Sequence, residues 1–313
     1  MSESLNTLAD VIGQAEETDA VDNLVLLHGW GMNAAVWDGL PADLATGLTQ
    51  HRIELPGHGE SPFPPQLGPG PDSLRRWADA CLDAAPERAV WLGWSLGGLV
   101  AMAAALRAPK RVRGLILMTA TPRFVRATDW TPAVPESTLD EFHTGLLADP
   151  TGTLARFLAL QVRGSEHARE VLRTLRHELA RRPAPVPAAL ALGLELLRDE
   201  DLRGPLPDIR CPCLWVFGSH DTLVPPAVGE RVECLMSQAQ VQVIAGAAHA
   251  PFISHPRETT TVIRSFLTGL NQGSANTANA HERSVEWVIT NRDVPPEQSG
   301  RNIPDPFKAG RSG

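Results

Sequence analysis

The sequence predicts an α/β fold in which a mostly parallel sheet carries helices on both faces. Short, continuous apolar runs alternate with helical segments over residues 24–118, and two further runs follow after residue 206. Strands that are buried on both faces of a parallel sheet are apolar at nearly every position, which is the pattern seen here. The composition supports a sizeable core, since 43% of the 313 residues are hydrophobic and 20% are charged.

The predicted elements follow one another in a regular order. Four apolar runs come first, the third is followed by a helical stretch at 96–106, and a last helix is expected at 257–270. Glycine-rich turns end the first two runs and indicate where each strand stops. The six predicted strands are, in chain order, 24–27, 52–55, 89–92, 112–118, 213–217 and 241–244.

The regular alternation breaks between residues 121 and 206, where no comparable apolar run occurs. This stretch has the composition of several helices separated by prolines, and it predicts a helical cap inserted into the sheet domain. The sheet domain is accordingly expected in two parts, residues 1–120 and 207–270. Residues 271–313 hold five basic, five acidic and four proline residues with one short apolar run, and they predict a mostly disordered tail.

Charge and composition exclude several functional classes. The net charge of −8 argues against a general nucleic-acid binder, which is normally basic. No apolar run is long enough to span a bilayer, and the acidic N-terminal segment lacks the pattern of a secretory signal. Four sparse cysteines favour reduced thiols over disulfides or a metal centre. The expectation is a cytoplasmic, monomeric protein without metal or other cofactor, and without nucleic-acid or membrane partners.

A candidate nucleophile lies between the third predicted strand and the helix after it. Residues 93–97 (GWSLG) match the pattern G-x-S-x-G, and a further glycine follows. In that context the pattern predicts a sharp strand-to-helix turn that exposes Ser95 at its tip. The helix N-terminus directly after the serine also favours negative charge that develops there. Ser95 is therefore predicted to be the catalytic nucleophile.

A serine hydroxyl needs a base that accepts its proton, and the base needs an acid that orients it. His249 lies just after the last predicted strand, where the functional side chains of parallel sheets gather. Asp221 follows the fifth predicted strand, in the chain order serine, acid, histidine that is typical of this arrangement. Asp199 and Asp201 are rival acids, although their charged helical surroundings favour solvent exposure. The predicted triad is Ser95, Asp221 and His249.

An oxyanion hole needs two backbone N–H donors that converge on the substrate oxygen. One is expected from Leu96, the residue after the nucleophile, and the other from Trp30 in the glycine-rich turn after the first strand. Nucleophile, base, acid and oxyanion hole together predict an α/β-hydrolase fold with a helical cap, and they predict serine-dependent hydrolysis.

Four stretches resemble the pimeloyl-[acyl-carrier protein] methyl ester esterases of biotin synthesis. They are residues 24–37 (LVLLHGWGMNAAVW), 91–100 (WLGWSLGGLV), 156–161 (RFLALQ) and 247–256 (AAHAPFISHP). The motifs HGWG, GWSLGGL and AHAPFISHP are more specific than the patterns shared by the whole superfamily. The similarity covers about residues 24–270, which is most of the chain.

The resemblance implies a carboxylesterase that removes the methyl group from a pimeloyl chain carried on acyl carrier protein. It implies the same triad, and substrate contacts from Trp30, Ser95, Leu96, Phe157, Leu158, Ala159, Leu160, Gln161 and His249. The family's arginines that meet the acidic carrier match Arg156, Arg169 and Arg173. A fourth such position, four residues before Arg156, is Gly152 here, so that contact is missing or supplied elsewhere.

The charge pattern gives an independent reason to expect an acidic partner. Residues 156–182 hold seven arginines against three glutamates, a net charge of +4 in a chain of net charge −8. Such a basic patch can steer a negatively charged partner, although an ordinary solvated helix face would carry the same charges.

Two other functional classes remain open at this point. A general short-chain carboxylesterase, a thioesterase or a lyase-type relative would share the triad, because a fold does not determine its substrate. A non-catalytic receptor with the same pocket is disfavoured, since such proteins usually lose a triad member or an oxyanion glycine, and all are present here.

Overall fold

The computed structural model describes residues 22–272, apart from residues 42 and 45. Six strands form one sheet in the order β2-β1-β3-β4-β5-β6, and every pair is parallel. The strands are β1 (Asn23–Leu27), β2 (Thr49–Ile53), β3 (Ala89–Trp94), β4 (Val112–Met118), β5 (Cys213–Gly218) and β6 (Ala239–Ile244). The predicted α/β class with a parallel sheet is confirmed.

Helices connect the strands and cover the sheet. They are α1 (Ser73–Ala84), α2 (Leu96–Arg107), α3 (Glu136–Ala148), α4 (Pro150–Gln161), α5 (Ala168–Leu179), α6 (Pro187–Asp199), α7 (Val228–Leu235) and α8 (Pro251–Ser254). A further helix, α9, begins at residue 256 and reaches residue 272, where the described part of the chain ends. Within that part, no helix combines the length and apolar character needed to cross a membrane.

The strand register brings the carboxyl ends of neighbouring strands to one edge of the sheet. Leu27 of β1 pairs with Gly93 of β3, and Gly93 pairs with Leu117 of β4. Gly218 of β5 pairs in turn with Ile244 of β6. The segments that follow these strands therefore share an edge, which is where ligands bind in open parallel sheets.

The edge strands depart from the pattern of continuous burial. All residues of β3 and β5 are buried, whereas most residues of β2 and β6 are partly or fully exposed, because an edge strand has a neighbour on one side only. The predicted bounds of the second strand, 52–55, are wrong. The chain leaves the sheet after Ile53, and the N–H of Leu55 bonds the ring of His28 (3.1 Å) instead of a neighbouring strand.

Two apolar layers lie on opposite faces of the sheet. Successive strand residues point to opposite faces, and β1 divides its side chains accordingly. Val25 and Leu27 pack in one layer, and Leu24 and Leu26 pack in the other. Burial on both faces explains why the central strands are apolar at nearly every position. The polar exceptions, Asn23 at the start of β1 and Arg113 in β4, are partly exposed.

Helices α3–α6 lie between β4 and β5, in the stretch where the sequence predicts a cap. They contact the sheet domain through polar bonds near the end of α5. The Asn33 side-chain amide donates to the Leu179 carbonyl (3.0 Å), and the Arg181 guanidinium pairs with Asp38 (2.6 Å). The division of the chain into core and cap stays a prediction. The predicted tail at 271–313 lies outside the described residues except for its first two.

Candidate active site

Ser95 lies at a sharp turn between β3 and α2. Its backbone has φ 55° and ψ −117°, a conformation that L-residues rarely adopt and that persists only where the surroundings enforce it. The Ser95 N–H donates to the carbonyl of Met118 at the end of β4 (3.0 Å). A Cβ at Gly97 would lie 2.5 Å from the carbonyl oxygen of Leu27, so only glycine lets the turn approach β1 this closely.

His249 and Asp221 form a buried hydrogen-bonded pair. His249 Nδ1 lies 2.7 Å from Asp221 Oδ2, and both side chains are 1% exposed. The other carboxylate oxygen of Asp221 accepts from the N–H groups of Leu223 (2.8 Å) and Val224 (3.1 Å). Because Nδ1–H donates to the carboxylate, Nε2 is left with its lone pair. Among the described residues, buried His249 Nε2 has no hydrogen-bond partner. It is thus free to accept a proton.

Three hydrogen bonds hold the backbone of His249. Its carbonyl accepts from the indole N–H of Trp94 (2.7 Å) and from the hydroxyl of Thr119 (2.8 Å). Its N–H donates to the carbonyl of Gln161 at the end of α4 (3.1 Å). Trp94 is the residue directly before Ser95, so the loop of the predicted base is tied to the turn of the predicted nucleophile.

The loops that carry Asp221 and His249 are also bonded to each other. The His220 N–H donates to the Ala247 carbonyl (2.9 Å), and the Gly246 N–H donates to the Ser219 hydroxyl (2.9 Å). These bonds lie at the carboxyl ends of β5 and β6. They set the spacing between acid and base without using either side chain.

The two predicted oxyanion donors lie in the turns after β1 and β3. Leu96 is the first residue of α2, so its N–H has no acceptor within the helix. Trp30 follows β1, and its side chain is anchored by a hydrogen bond from the indole N–H to the Leu190 carbonyl of α6 (2.8 Å). In the described part of the chain, no hydrogen bond uses the backbone N–H of Trp30.

The predicted substrate contacts on α4 fall on different faces of that helix. Phe157 is buried and packs edge-on against Trp30, with ring centroids 4.6 Å apart. Leu158 and Gln161 are also buried, whereas Leu160 is half-buried and Ala159 is exposed. The structure therefore brings Phe157 against the oxyanion turn and Gln161 against the base, and it places Ala159 on the outer face of the helix.

Asp199 and Asp201, the rival acids, bond arginines and do not bond His249. The guanidinium of Arg198 bonds both carboxylate oxygens of Asp199, and this hydrogen bonding lowers the pKa of Asp199. Asp201 accepts hydrogen bonds from Arg203 and Arg123, which lower its pKa to about 2. Neither carboxylate orients the base.

The arginines predicted to meet a carrier protein are all on the surface of the cap. Arg156 on α4 and Arg169 and Arg173 on α5 are exposed. Gly152 has a local role, because its N–H donates to the Asp149 carboxylate that caps α4 (2.9 Å). A Cβ at residue 152 would lie 2.1 Å from an oxygen of that carboxylate. Glycine at this position therefore fits the helix cap.

A buried histidine pair behind the oxyanion turn was not singled out from the sequence. His28 and His58 are buried, with ring centroids 5.2 Å apart. Burial and the neighbouring His58 lower the pKa of His28 to about 3, and burial lowers the pKa of His58 to about 4. Both rings are neutral at pH 7 and serve as hydrogen-bonding parts of the turns after β1 and β2. A local sequence signal could have indicated these two histidines, since each adjoins a glycine-rich turn.

Comparisons with known proteins identify the same class of protein as the fold and the geometry of the site. The family model of the alpha/beta hydrolase fold matches residues 22–256. An esterase from Exiguobacterium antarcticum superposes with a TM-score of 0.68 at 20% identity, over 80% of this chain and 92% of that one. At this identity the likeness concerns the fold alone. The chain belongs to the α/β hydrolase family.

Two relatives carry the more specific similarity. The chain is 45% identical over 256 residues to the pimeloyl-[acyl-carrier protein] methyl ester esterase of Stenotrophomonas maltophilia (strain R551-3), covering 82% of this chain and 96% of the relative. It is 43% identical, with the same coverage, to the esterase of that name from Serratia marcescens. The resemblance predicted from the sequence motifs is confirmed.

Proposed function

We propose that the protein is a serine carboxylesterase that hydrolyses the methyl ester of pimeloyl-acyl carrier protein. The observation that carries the proposal is the buried Asp221–His249 pair (2.7 Å), whose Nε2 is unpartnered among the described residues and whose loop is bonded to the turn of Ser95. The two relatives named pimeloyl-[acyl-carrier protein] methyl ester esterase, at 43–45% identity, support the choice of substrate.

In the first half of the reaction, His249 Nε2 accepts the proton of the Ser95 hydroxyl while Oγ attacks the ester carbonyl carbon. The carbonyl oxygen becomes negative and binds the N–H groups of Trp30 and Leu96, which stabilise this charge. The protonated His249 then gives its proton to the methoxy oxygen. The carbon–oxygen bond breaks, methanol leaves, and the pimeloyl group is esterified to Ser95.

In the second half, water replaces the alcohol. His249 accepts a proton from the water as it attacks the acyl-enzyme carbonyl, and the same two N–H groups bind the new oxyanion. The proton then passes to Ser95 Oγ as the ester bond breaks, which releases the free carboxylate of the pimeloyl chain. Asp221 orients His249 and stabilises its charged form in both halves. No step uses a metal or other cofactor.

The carrier protein is expected to dock on the cap. Arg156, Arg169 and Arg173 are exposed on α4 and α5, and α4 also supplies Phe157 and Gln161 to the interior. An acidic carrier bound to these arginines would sit where its acyl chain can enter between cap and sheet. The proposal includes a monomer that acts in the cytoplasm, without nucleic-acid or membrane partners.

Steady-state kinetics on two substrates test the proposal. We expect methanol release from methyl pimeloyl-acyl carrier protein with a higher kcat/KM than from free methyl pimelate, and no release by the Ser95→Ala variant. If the carrier-bound ester is not hydrolysed while p-nitrophenyl acetate is, the protein is a general esterase. If neither ester is hydrolysed by the wild type, the catalytic assignment is wrong.

A further inference from the structure

Two histidines and one glutamate converge at the junction of the cap with the sheet domain. Glu166 and His167 lie in the connection between α4 and α5, and His255 follows α8, six residues after His249. Each of the three side chains offers a ligand atom, and these atoms lie within 4.8 Å of one another. None of the three has a role in the proposed reaction.

The local geometry keeps the ligand atoms directed at one another. His255 Nδ1 lies 2.8 Å from the Ser254 hydroxyl, which orients the ring and leaves Nε2 for another partner. A Cβ at Gly246 would lie 2.8 Å from Glu166 Oε1 and 3.2 Å from His255 Nε2. The Glu166 carboxylate and the His255 imidazole therefore lie close together over the backbone of Gly246. Gly246 has φ +76°, which favours glycine, and its missing side chain leaves this space open.

The donor set is one that zinc prefers. Two imidazole nitrogens and one carboxylate oxygen are a common set of protein ligands for Zn²⁺, with water completing the coordination. A tetrahedral ion holds its ligand atoms about 3.3 Å apart, so the side chains must approach by up to about 1.5 Å. Glu166 and His167 are exposed and can rotate to do so. The carboxylate of Glu170 lies 3.9 Å from His167 Nδ1, where an outer partner would orient the ring.

We propose that Glu166, His167 and His255 form a Zn²⁺ site that clamps the cap to the loop of His249. The site is separate from the triad, and the inference does not depend on the proposed esterase function. Hydrogen bonds already join the connection between α4 and α5 to the loops after β5 and β6. The Glu166 N–H donates to the Gly246 carbonyl (3.4 Å), and the His220 ring bonds the Gly164 carbonyl (2.9 Å). An ion bound there would cross-link two segments that are distant in the sequence.

Calorimetric titration of the full chain with ZnCl₂, after treatment with a chelator and dialysis, tests the site. We expect one ion per chain at this site, and MgCl₂ to give no binding because Mg²⁺ prefers oxygen ligands. His167→Gln should weaken Zn²⁺ binding more than about tenfold, since loss of an outer partner alone weakens metal sites by about 10–100-fold. His177→Gln, at an exposed histidine near the end of α5, is the matched control and should bind as the wild type.

Two further arms separate this site from other ligands on the chain. Cys234→Ser removes an exposed thiol and should leave the affinity unchanged. Saturating Zn²⁺ should raise the Tm of the wild type and of His177→Gln, but not that of His167→Gln. Equal affinity of wild type and His167→Gln would overturn the proposal, as would the absence of Zn²⁺ binding to the wild type. Glu166→Gln, at a second exposed ligand, should also weaken Zn²⁺ binding more than about tenfold. Wild-type affinity in this variant would likewise overturn the proposal.

Discussion

At the scale of single residues, Ser95 combines a proposed chemical role with a strained backbone. Its φ of 55° and ψ of −117° suit glycine better than any residue with a side chain. The strain is enforced by the bond to Met118 and by the close approach of Gly97 to β1. A backbone that is held in this way presents Oγ at the tip of the turn. The nucleophile is therefore positioned at the expense of local stability.

Replacing Ser95 separates the chemical role from the strain. Ser95→Ala and Ser95→Gly should both lose roughly 10⁴- to 10⁶-fold in kcat, because neither can form the acyl-enzyme. Ser95→Gly should be more stable than Ser95→Ala by about 1 kcal/mol, because glycine adopts this conformation without a Cβ penalty. Ester hydrolysis and urea unfolding measure the two effects. Substantial hydrolysis by either variant would refute the role of Ser95, and equal stabilities would refute the strain.

Asp221 is expected to act through His249. Asp221→Asn keeps an oxygen that can accept from the N–H groups of Leu223 and Val224, so the fold should be unchanged. It removes the charge that orients and stabilises the imidazolium, and kcat should fall roughly 10⁴-fold. The measurement is kcat for the wild type and Asp221→Asn, with circular dichroism as the control for folding.

A wild-type rate in Asp221→Asn would contradict this assignment. Attention would then turn to Asp199 and Asp201, but both are bound by arginines. Asp199→Asn is therefore a useful comparison, and it should leave kcat unchanged.

At the scale of elements, the turns after β1 and β2 are joined through a pair of neutral histidines. The Leu55 N–H donates to His28 Nε2, so the protonated Nδ1 of His28 donates to the Gly29 carbonyl (2.9 Å). His58 Nδ1–H donates to the Pro56 carbonyl (3.0 Å). Both rings are buried, and protonating either would place a charge in an apolar layer. The oxyanion turn that contains Trp30 is thus supported by groups that must stay neutral.

Acid should destabilise the fold through these histidines. The pKa of His58 is about 4 when folded, below the ordinary value of 6.5, so the unfolded chain binds its proton first as the pH falls. The stability that neutral His58 contributes is present above pH 6.5 and is lost toward pH 4, at about 1.4 kcal/mol per pH unit. His28, with a folded pKa of about 3, acts in the same direction.

His58→Asn tests this linkage. The asparagine amide can still donate to the Pro56 carbonyl, but it does not titrate. Urea unfolding between pH 7 and pH 5 should show a smaller loss of stability with falling pH in the variant than in the wild type. Identical slopes would mean that His58 does not contribute to the acid sensitivity.

At the scale of the whole molecule, charge is distributed unevenly. The chain has a net charge of −8, yet residues 156–182, which include the second half of α4 and all of α5, carry +4. A basic segment in an acidic chain can attract an acidic partner. In the proposed function, docking therefore uses this segment, whereas the reaction takes place at the carboxyl edge of the sheet.

Charge reversal at Arg156, Arg169 and Arg173 together should raise the KM for methyl pimeloyl-acyl carrier protein. It should leave p-nitrophenyl ester hydrolysis nearly unchanged, because that substrate needs only the pocket. Single exposed pairs are worth about 0.2–1 kcal/mol, so the triple variant is the appropriate test. Added salt should raise the wild-type KM for the carrier substrate in the same way, since exposed charges are screened over about 8 Å at physiological ionic strength.

Arg210→Glu, at an arginine that is 79% exposed and outside the cap, is the control and should change neither substrate. If the triple variant loses the same fraction of its activity on both substrates, the cap arginines stabilise the fold instead of docking the carrier. No loss on either would leave the cap charges without a role in docking.

The sequence by itself determined the features whose signals are local. Apolar runs marked the central strands, because burial on both faces leaves few polar positions in them. Residues 93–97 marked the turn of Ser95, since its glycines are required by backbone contacts close by in the fold. Chain order then singled out Asp221 and His249, which the structure brings into contact. The bounds of the edge strand β2 were wrong, because a half-exposed strand lacks the apolar signal.

Only the tertiary structure decided the features that join distant segments. The bonds from Thr119 and Trp94 to the His249 carbonyl span 130 and 155 residues of sequence. Glu166 and His255 are likewise far apart along the chain, and each is an ordinary polar residue in its own segment. No periodicity or spacing encodes such a meeting, because it depends on how cap and sheet pack in three dimensions. The local signals of the proposed chemistry were thus readable from the residues, whereas the bonds that support it arise from packing.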